Sequence, residues 1–203
     1  MSSSPRSERP AGLSLRERKK LKTHLAIQGE AMRLFREQGY EGTTVEQIAD
    51  AAEVSHTTFF RYFGSKQDVV LHDALDPLAF AALEEQPAGL TPIEALRRAL
   101  REVYAGLSAD DLAAQMERTK LIRATPELWQ GMLDDVTGSL DVFRAAIGRR
   151  VGRPADDIAV LTLAGAVFGA GIAVWLSRPP DQMDEYLELF DAALVRLEKG
   201  LTF

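Results

Sequence analysis

Apolar residues recur at intervals of three and four along almost the whole chain, as in the series Leu21, Leu25, Ala31, Leu34 and Phe35. This spacing places apolar side chains on one face of an α-helix, whereas alternation of apolar and polar residues is typical of a strand. No stretch shows sustained alternation bounded by turn signals. The pattern therefore predicts an all-α protein.

Capping residues, glycines and prolines divide this pattern into separate helices. The run Ser14-Leu15-Arg16-Glu17 is a capping box that predicts the start of the first helix, and Gly39 predicts its end. Thr91-Pro92 and Thr125-Pro126 each place a capping threonine before a proline at the first helical position. Further breaks are expected at residues 152–154 and 178–180.

Residues 158–176 carry no charged side chain, and this run is close to the lower length limit for crossing a bilayer. Two observations weigh against a membrane span. Much of the run is alanine, glycine and threonine, and arginines flank it at both ends without a clear asymmetry. A helix that is apolar all round is equally typical of a core or a subunit interface, so we expect no contact with a membrane.

Composition excludes several kinds of chemistry. The 203 residues include no cysteine and three histidines that lie well apart in sequence. Disulfides, thiolate metal sites and cysteine nucleophiles are therefore ruled out, and the composition suits the cytoplasm. No glycine-rich phosphate loop, serine elbow or cluster of metal-ligand residues is present. We therefore expect no catalytic residues, no metal and no cofactor, and a helical enzyme is a remote alternative.

The formal net charge of −6 argues against a nucleic-acid partner until its distribution is considered. Residues 1–22 carry seven basic and two acidic side chains, so the acidity belongs to the remainder of the chain. Charge asymmetry of this kind points to nucleic-acid contact at the basic end. We interpret residues 1–13, which have no apolar core, as a flexible basic arm.

Residues 43–63, TTVEQIADAAEVSHTTFFRYF, have the pattern of two short helices joined by a tight turn. Such a helix-turn-helix places its second helix in the major groove of DNA. A three-helix packing unit without DNA contact has the same spacing, so spacing alone leaves both interpretations open.

The run FREQGYEGTTVEQIADAAEVSHTTFFRYFGSKQDVV resembles the DNA-binding domain of the TetR family of bacterial transcriptional regulators. The FFRYF variant and the C-terminal half look most like the branch that contains the mycofactocin regulator and proposed acyl-CoA-type sensors. The resemblance implies a homodimer of about nine helices per chain. Residues 14–66 would form the three-helix DNA-binding domain, and residues 67–203 would form a domain for ligand binding and dimerisation.

The same resemblance implies which residues contact an operator in double-stranded DNA. The recognition helix spans residues 56–62, its N-terminus faces the bases, and further residues contact phosphates. The expected contacts are Thr44, Ser55, His56, Thr57, Phe60, Arg61, Tyr62 and Lys66.

This chain departs from the family pattern in two places. Glu53 occupies the turn position where relatives usually have glycine, and a left-handed backbone there costs a non-glycine residue roughly 1–2 kcal/mol. The recognition helix also lacks an arginine near its start that would read guanine. Thymine methyl groups, water and DNA shape are therefore expected to carry more of the specificity.

The family also implies that a small molecule controls DNA binding from the C-terminal helices. We expect a small, apolar or acyl-type effector. Arg118 and Arg123 are available for an anionic head group, and surface ion pairing is their alternative role. The aromatic and flexible residues expected to line a pocket, with core packing as the alternative role of each, are Leu75, Phe80, Tyr104, Met116, Trp129, Met132, Phe143 and Phe168. Those expected at the dimer interface are Gly165, Gly169, Trp175, Tyr186 and Phe190.

Pro77 falls inside the expected fourth helix, which links the two domains. A proline there bends a helix, so Pro77 is a candidate kink through which a ligand tilts the DNA-binding domain. The alternative is that the helix ends and restarts at this point.

Repression is the mode of action that the family resemblance implies. A DNA-binding regulator without small-molecule control remains the alternative function.

Overall fold

A computed structural model describes residues 15–72, 75–179 and 185–201. These residues form ten α-helices and no strand, which confirms the all-α prediction and adds one helix to the expected nine. The helices are α1 (Leu15–Gln38), α2 (Val45–Ala51), α3 (His56–Tyr62), α4 (Lys66–Leu71), α5 (Leu75–Glu85), α6 (Pro92–Ala105), α7 (Ala109–Ala124), α8 (Pro126–Val151), α9 (Ile158–Ser177) and α10 (Tyr186–Glu198). The basic arm and the Ser14 cap lie outside the described residues.

Helices α1 to α4 pack around one apolar core. Ile27 of α1, Ile48 of α2 and Phe59 of α3 are completely buried there, together with Val69 and Val70 of α4. Ile122 of α7 and Leu128 of α8 complete the same core. The N-terminal helices are thus joined to the rest of the molecule by continuous packing.

Side-chain caps start each of the three short N-terminal helices. Thr44, Ser55 and Ser65 precede α2, α3 and α4, and each accepts a hydrogen bond from the backbone N–H three residues further on. Caps of this kind contribute about 1 kcal/mol each, which matters for helices of only six or seven residues.

Helices α5, α6, α8, α9 and α10 enclose a second apolar core. Phe143 and Ile147 of α8, Val160 of α9 and Leu194 of α10 are almost completely buried in it. Helix α8 reaches both cores, because Leu128 near its start belongs to the first and Phe143 to the second. This long helix therefore connects the two halves of the molecule.

One face of α9 packs inside the protein, and the other is exposed. Val160, Ala164, Val167 and Gly171 are buried, whereas the opposite face shows Ile158 at 76% exposure, with Leu161 and Leu176 also exposed. Among the described residues, α9 alone is long and apolar enough to cross a membrane by length and composition. The exposed face of α9 is therefore an apolar stripe.

Two predicted helix signals differ in the structure. Thr125 precedes Pro126 at the start of α8 but makes no side-chain capping bond. The prediction of a kink at Pro77 inside a continuous fourth helix is wrong. Helix α4 ends at Leu71 and Pro77 lies in the first turn of α5, where backbone N–H groups have no partner within the helix and proline costs little.

The turn between α2 and α3 keeps the left-handed backbone that the family pattern predicts. Glu53 has φ of 54°, while the Glu53 N–H donates to Asp50 O and the Val54 N–H donates to Ala49 O at 2.9 Å. These two bonds form a Schellman motif, which satisfies the last carbonyl groups of α2. The turn therefore does not relax, and its hydrogen bonds hold a glutamate in a conformation that favours glycine.

Replacing Glu53 with glycine should stabilise the protein. We expect Glu53→Gly to raise the free energy of unfolding by about 1 kcal/mol, because glycine has no Cβ to strain in this conformation. Denaturant unfolding measures this change. Glu53→Ala is the matched control, because it removes the carboxylate but keeps the Cβ. A similar stabilisation by alanine would show that charge, and not backbone strain, is responsible.

Candidate DNA-binding surface and internal cavity

Helix α3 has one buried face and one exposed face. Phe59 is fully buried in the first core, whereas Ser55, His56, Thr57 and Arg61 are exposed. Phe60 is 45% exposed, which is unusual for a large apolar ring on a short helix. The structure thus brings five of the eight predicted contact residues to one surface at the N-terminal end and outer face of α3.

The carboxylate of Glu46 lies beside His56 at this surface. His56 Nε2 is 3.4 Å from Glu46 Oε1 of α2, and the His56 ring meets Phe60 edge-on with centroids 4.7 Å apart. Hydrogen bonds from its own backbone N–H and from the Thr44 hydroxyl lower the pKa of Glu46, with a smaller contribution from His56. Glu46 is therefore ionised at neutral pH and places one negative charge next to His56.

The remaining predicted contacts differ in their surroundings. Thr44 is exposed at the N-terminus of α2, where its hydroxyl caps the helix. Tyr62 is half-buried, with the Arg61 guanidinium 5.5 Å from its ring centroid. Lys66 Nζ donates to the Tyr40 carbonyl at 2.8 Å and lies 4.2 Å from the centroid of the Tyr40 ring. Lys66 thus holds the loop that follows α1.

Helices α4 to α10 all contribute side chains to a partly open cavity of about 230 Å³. Phe80, Met132, Phe143 and Phe168 line it, and the rings of Phe80 and Phe168 each lie within 6 Å of the Phe143 ring, measured between centroids. These are four of the eight residues predicted to form a pocket.

The other four predicted pocket residues do not line this cavity. Leu75 is buried in the first turn of α5, while Tyr104 and Met116 are half-buried on α6 and α7. Trp129 lies outside, stacked on Trp175 with ring centroids 5.7 Å apart and planes 10° apart. Residue type alone did not separate the two sets, because helix rotation decides which side chains point inward.

The residues predicted at a dimer interface also fall into two groups. Trp175, Tyr186 and Phe190 line the cavity, and the Tyr186 and Phe190 rings stack on each other at 5.7 Å. Gly165 and Gly169 lie on the exposed face of α9, where an added Cβ would meet nothing within 4 Å. Only the two glycines therefore occupy an outer surface of the chain.

Polar side chains that sequence reasoning missed occupy one wall of the cavity. Ser139 Oγ donates to Asp76 Oδ2 at 2.6 Å, and Asp135 lies one helical turn before Ser139 on α8. The spacing of Asp135 and Ser139 is common on solvated helix faces. Nothing in the sequence singles these residues out, because Asp76 approaches them from a different helix.

Two side chains hold the C-terminal carbonyl groups of α4. Gln28 Nε2 of α1 donates to Val69 O at 2.9 Å and to His72 O at 3.0 Å. Arg118 Nη1 of α7 donates to Val70 O and Leu71 O, both at 3.2 Å, and Arg118 also lines the cavity. A cation at a helix C-terminus is electrostatically favourable. Helix α4 is therefore tied to α1 on one side and to the cavity wall on the other.

Arg123 also bonds a protein carbonyl. Its Nη1 donates to Arg178 O, and its guanidinium lies 5.6 Å from the centroid of the Trp175 ring. Both arginines predicted to attract an anionic head group thus hold parts of the protein in place.

Helix α3 is short and capped, and its outer face is exposed. A tight turn sets it against α2, and a buried core holds it there. These features define a helix-turn-helix DNA-binding protein. The sequence profile of bacterial regulatory proteins of the tetR family matches residues 27–72, and that of the MftR C-terminal domain matches residues 90–202. The chain belongs to the TetR family of transcriptional regulators, which bind DNA and are not enzymes.

Named relatives agree with this assignment. The HTH-type transcriptional regulator TcmR of Streptomyces glaucescens is 36% identical over 95% of this chain and 90% of its own length. MftR of Mycobacterium tuberculosis, named for mycofactocin biosynthesis regulation, is 26% identical over 86% of this chain and 89% of its own. A crystal structure described as a TerR/AcrR-family regulator from Aquifex aeolicus shares the fold, with a TM-score of 0.51 at 18% identity over 87% of this chain and 98% of that one.

Proposed function

We propose that this protein is a cytoplasmic, ligand-responsive repressor that binds a pseudo-palindromic operator as a homodimer and releases it when a small, largely apolar effector fills the cavity. The observation that carries the proposal is the position of Arg118. This side chain lines the cavity and also holds the carbonyl groups at the end of α4, which belongs to the core beneath the recognition helix.

The exposed face of α3 supports DNA reading. His56 and Thr57 at its N-terminus offer hydrogen-bonding groups to base edges, and the positive end of the helix favours nearby phosphates. The exposed Phe60 ring suits a thymine methyl group or a sugar. The ionised Glu46 beside His56 repels phosphate, so base contacts and DNA shape carry more of the specificity than charge does.

The exposed stripe of α9 supports dimerisation. Ile158, Leu161, Gly165, Gly169 and Leu176 form a continuous outer face of small and apolar side chains. Small residues allow a second helix to approach closely, and a self-complementary face of this kind suits a two-fold dimer. Dimerisation also explains why a helix this apolar has an exposed side, without a membrane.

The connections of α4 support effector control. A ligand changes operator affinity only if it binds the two conformations of the regulator unequally. A cavity wall that includes Leu71 and Arg118 changes shape when α4 moves, so its ligand affinity depends on the α4 position. Couplings of this kind are typically 1–3 kcal/mol.

Retardation of DNA from the protein's own promoter region tests the function. We expect Phe60→Ala to weaken operator binding about tenfold, which corresponds to ~1.4 kcal/mol. Wild-type binding should also weaken as salt rises, because phosphate contacts release counterions. Leu112→Ala, which truncates an exposed apolar residue on α7, is the matched control and should have no effect. Equal binding by wild type and Phe60→Ala would remove α3 from the DNA interface.

The same substitution, glycine to arginine, tests dimerisation when it is made on α9 and serves as a control when it is made on α8. We expect Gly169→Arg to convert the dimer to a monomer in sedimentation velocity and to abolish operator retardation, because the arginine blocks close helix approach. Gly138→Arg on α8 is the control, since Gly138 is also exposed, helical and without a neighbour within 4 Å. A Gly169→Arg protein that remains dimeric would place the interface elsewhere.

A further inference from the structure

The charges of the cavity indicate the chemical class of its ligand. Among the described residues, the cavity is lined by two carboxylates, Asp76 and Asp135, and by one guanidinium, that of Arg118. A carboxylate in an apolar enclosure is costly unless a donor or cation accompanies it. The balance of charge is therefore acidic, which is the opposite of what an anionic ligand needs.

Arg118, the cationic side chain among the described lining residues, already donates to protein acceptors. Arg118 Nη1 donates to Val70 O and Leu71 O, and its Nε donates to Gln115 Oε1 at 3.1 Å. An anionic ligand would have to draw this guanidinium away from the end of α4. The same ligand would also bring its charge close to two carboxylates, which is unfavourable at short range in a low dielectric.

The carboxylates are grouped on one side of the cavity. Asp76 of α5 accepts the Ser139 hydroxyl, and Asp135 lies one turn away on α8 with the half-exposed His72 Nε2 at 3.8 Å. Helices α9 and α10 contribute the aromatic rings of Phe168, Tyr186 and Phe190 to the lining, and α5 and α8 contribute those of Phe80 and Phe143. The cavity thus combines two neighbouring carboxylates with several aromatic rings.

We propose that the cavity takes a flat, largely apolar ligand that carries an amine or another cationic group at one edge, and that Asp76 and Asp135 select it over an acyl anion of the same size. The aromatic rings that line the cavity accommodate a planar ligand and also attract a cation through their faces. This inference rests on the proposed effector function and specifies the ligand class for the same site.

Calorimetric titration of the full-length protein with three naphthalene probes tests the selection. The probes are 1-naphthylmethylamine, 1-naphthalenemethanol and 1-naphthoate, used at pH 7.5, where the amine is protonated and the acid is ionised. We expect the amine to bind at least tenfold more tightly than the carboxylate, with the alcohol between them. Equal or tighter binding of 1-naphthoate, or no binding of the amine, would overturn the proposal.

Neutral variants show whether the two carboxylates cause the preference. Asp76→Asn combined with Asp135→Asn should reduce the advantage of the amine over the carboxylate to less than threefold, while an unchanged melting temperature would show that the fold survives. Asp141→Asn is the control on the same helix, because Asp141 lies on the surface paired with Arg144 at 3.0 Å. An unchanged preference in the double variant would assign it to other groups and overturn the proposal.

Should the double variant fail to fold, Asp135→Asn alone gives the same test, because the Asp76 to Ser139 bond then remains. These titrations contain no DNA. Loss of the amine preference therefore counts against the ligand class only, whereas failure of the protein to retard promoter DNA counts against the regulatory function.

Discussion

The rest of the structure depends on the hydrogen bonds that the last carbonyl groups of α4 accept from side chains of other helices. A helix of six residues ends with several carbonyls that no helical N–H can reach. In this protein Gln28 donates hydrogen bonds to Val69 O and His72 O, and Arg118 donates to Val70 O and Leu71 O. One donor comes from the helix that supports the DNA-reading surface, and the other comes from the cavity wall. The end of α4 cannot shift without disturbing both.

This arrangement explains why the two halves of the molecule behave as one packed body. Ile122 and Leu128 from α7 and α8 are buried in the same core as Phe59 of the recognition helix. Under the proposed effector control, movement at the cavity wall would reach α3 through close-packed side chains and hydrogen bonds, which resist gradual deformation. A protein built in this way is suited to switching between two discrete arrangements.

Local features of the fold were predictable from the sequence, whereas the cavity was not. The caps Ser55 and Ser65 and the glycine end of α1 act within a few residues of themselves, so spacing was enough to locate them. The exposed residues of α3 that we expect to contact DNA were identified from a family motif, which also covers a short stretch of chain. Gln28, Arg118, Asp76 and Asp135 act across 40 or more residues, and their roles depend on how helices rotate against one another. Pro77 shows the same limit, because its effect depends on where α4 ends.

The central claim is that cavity occupancy and DNA binding are linked through α4, and linkage is reciprocal at equilibrium. The most direct measurement is the affinity of the protein for 1-naphthylmethylamine, determined with and without saturating duplex DNA from its own promoter region. The account predicts that operator DNA weakens binding of the amine at least fivefold, because the DNA-bound arrangement disfavours a filled cavity. Identical affinities in the two titrations would contradict the claim that the cavity and the recognition helix communicate.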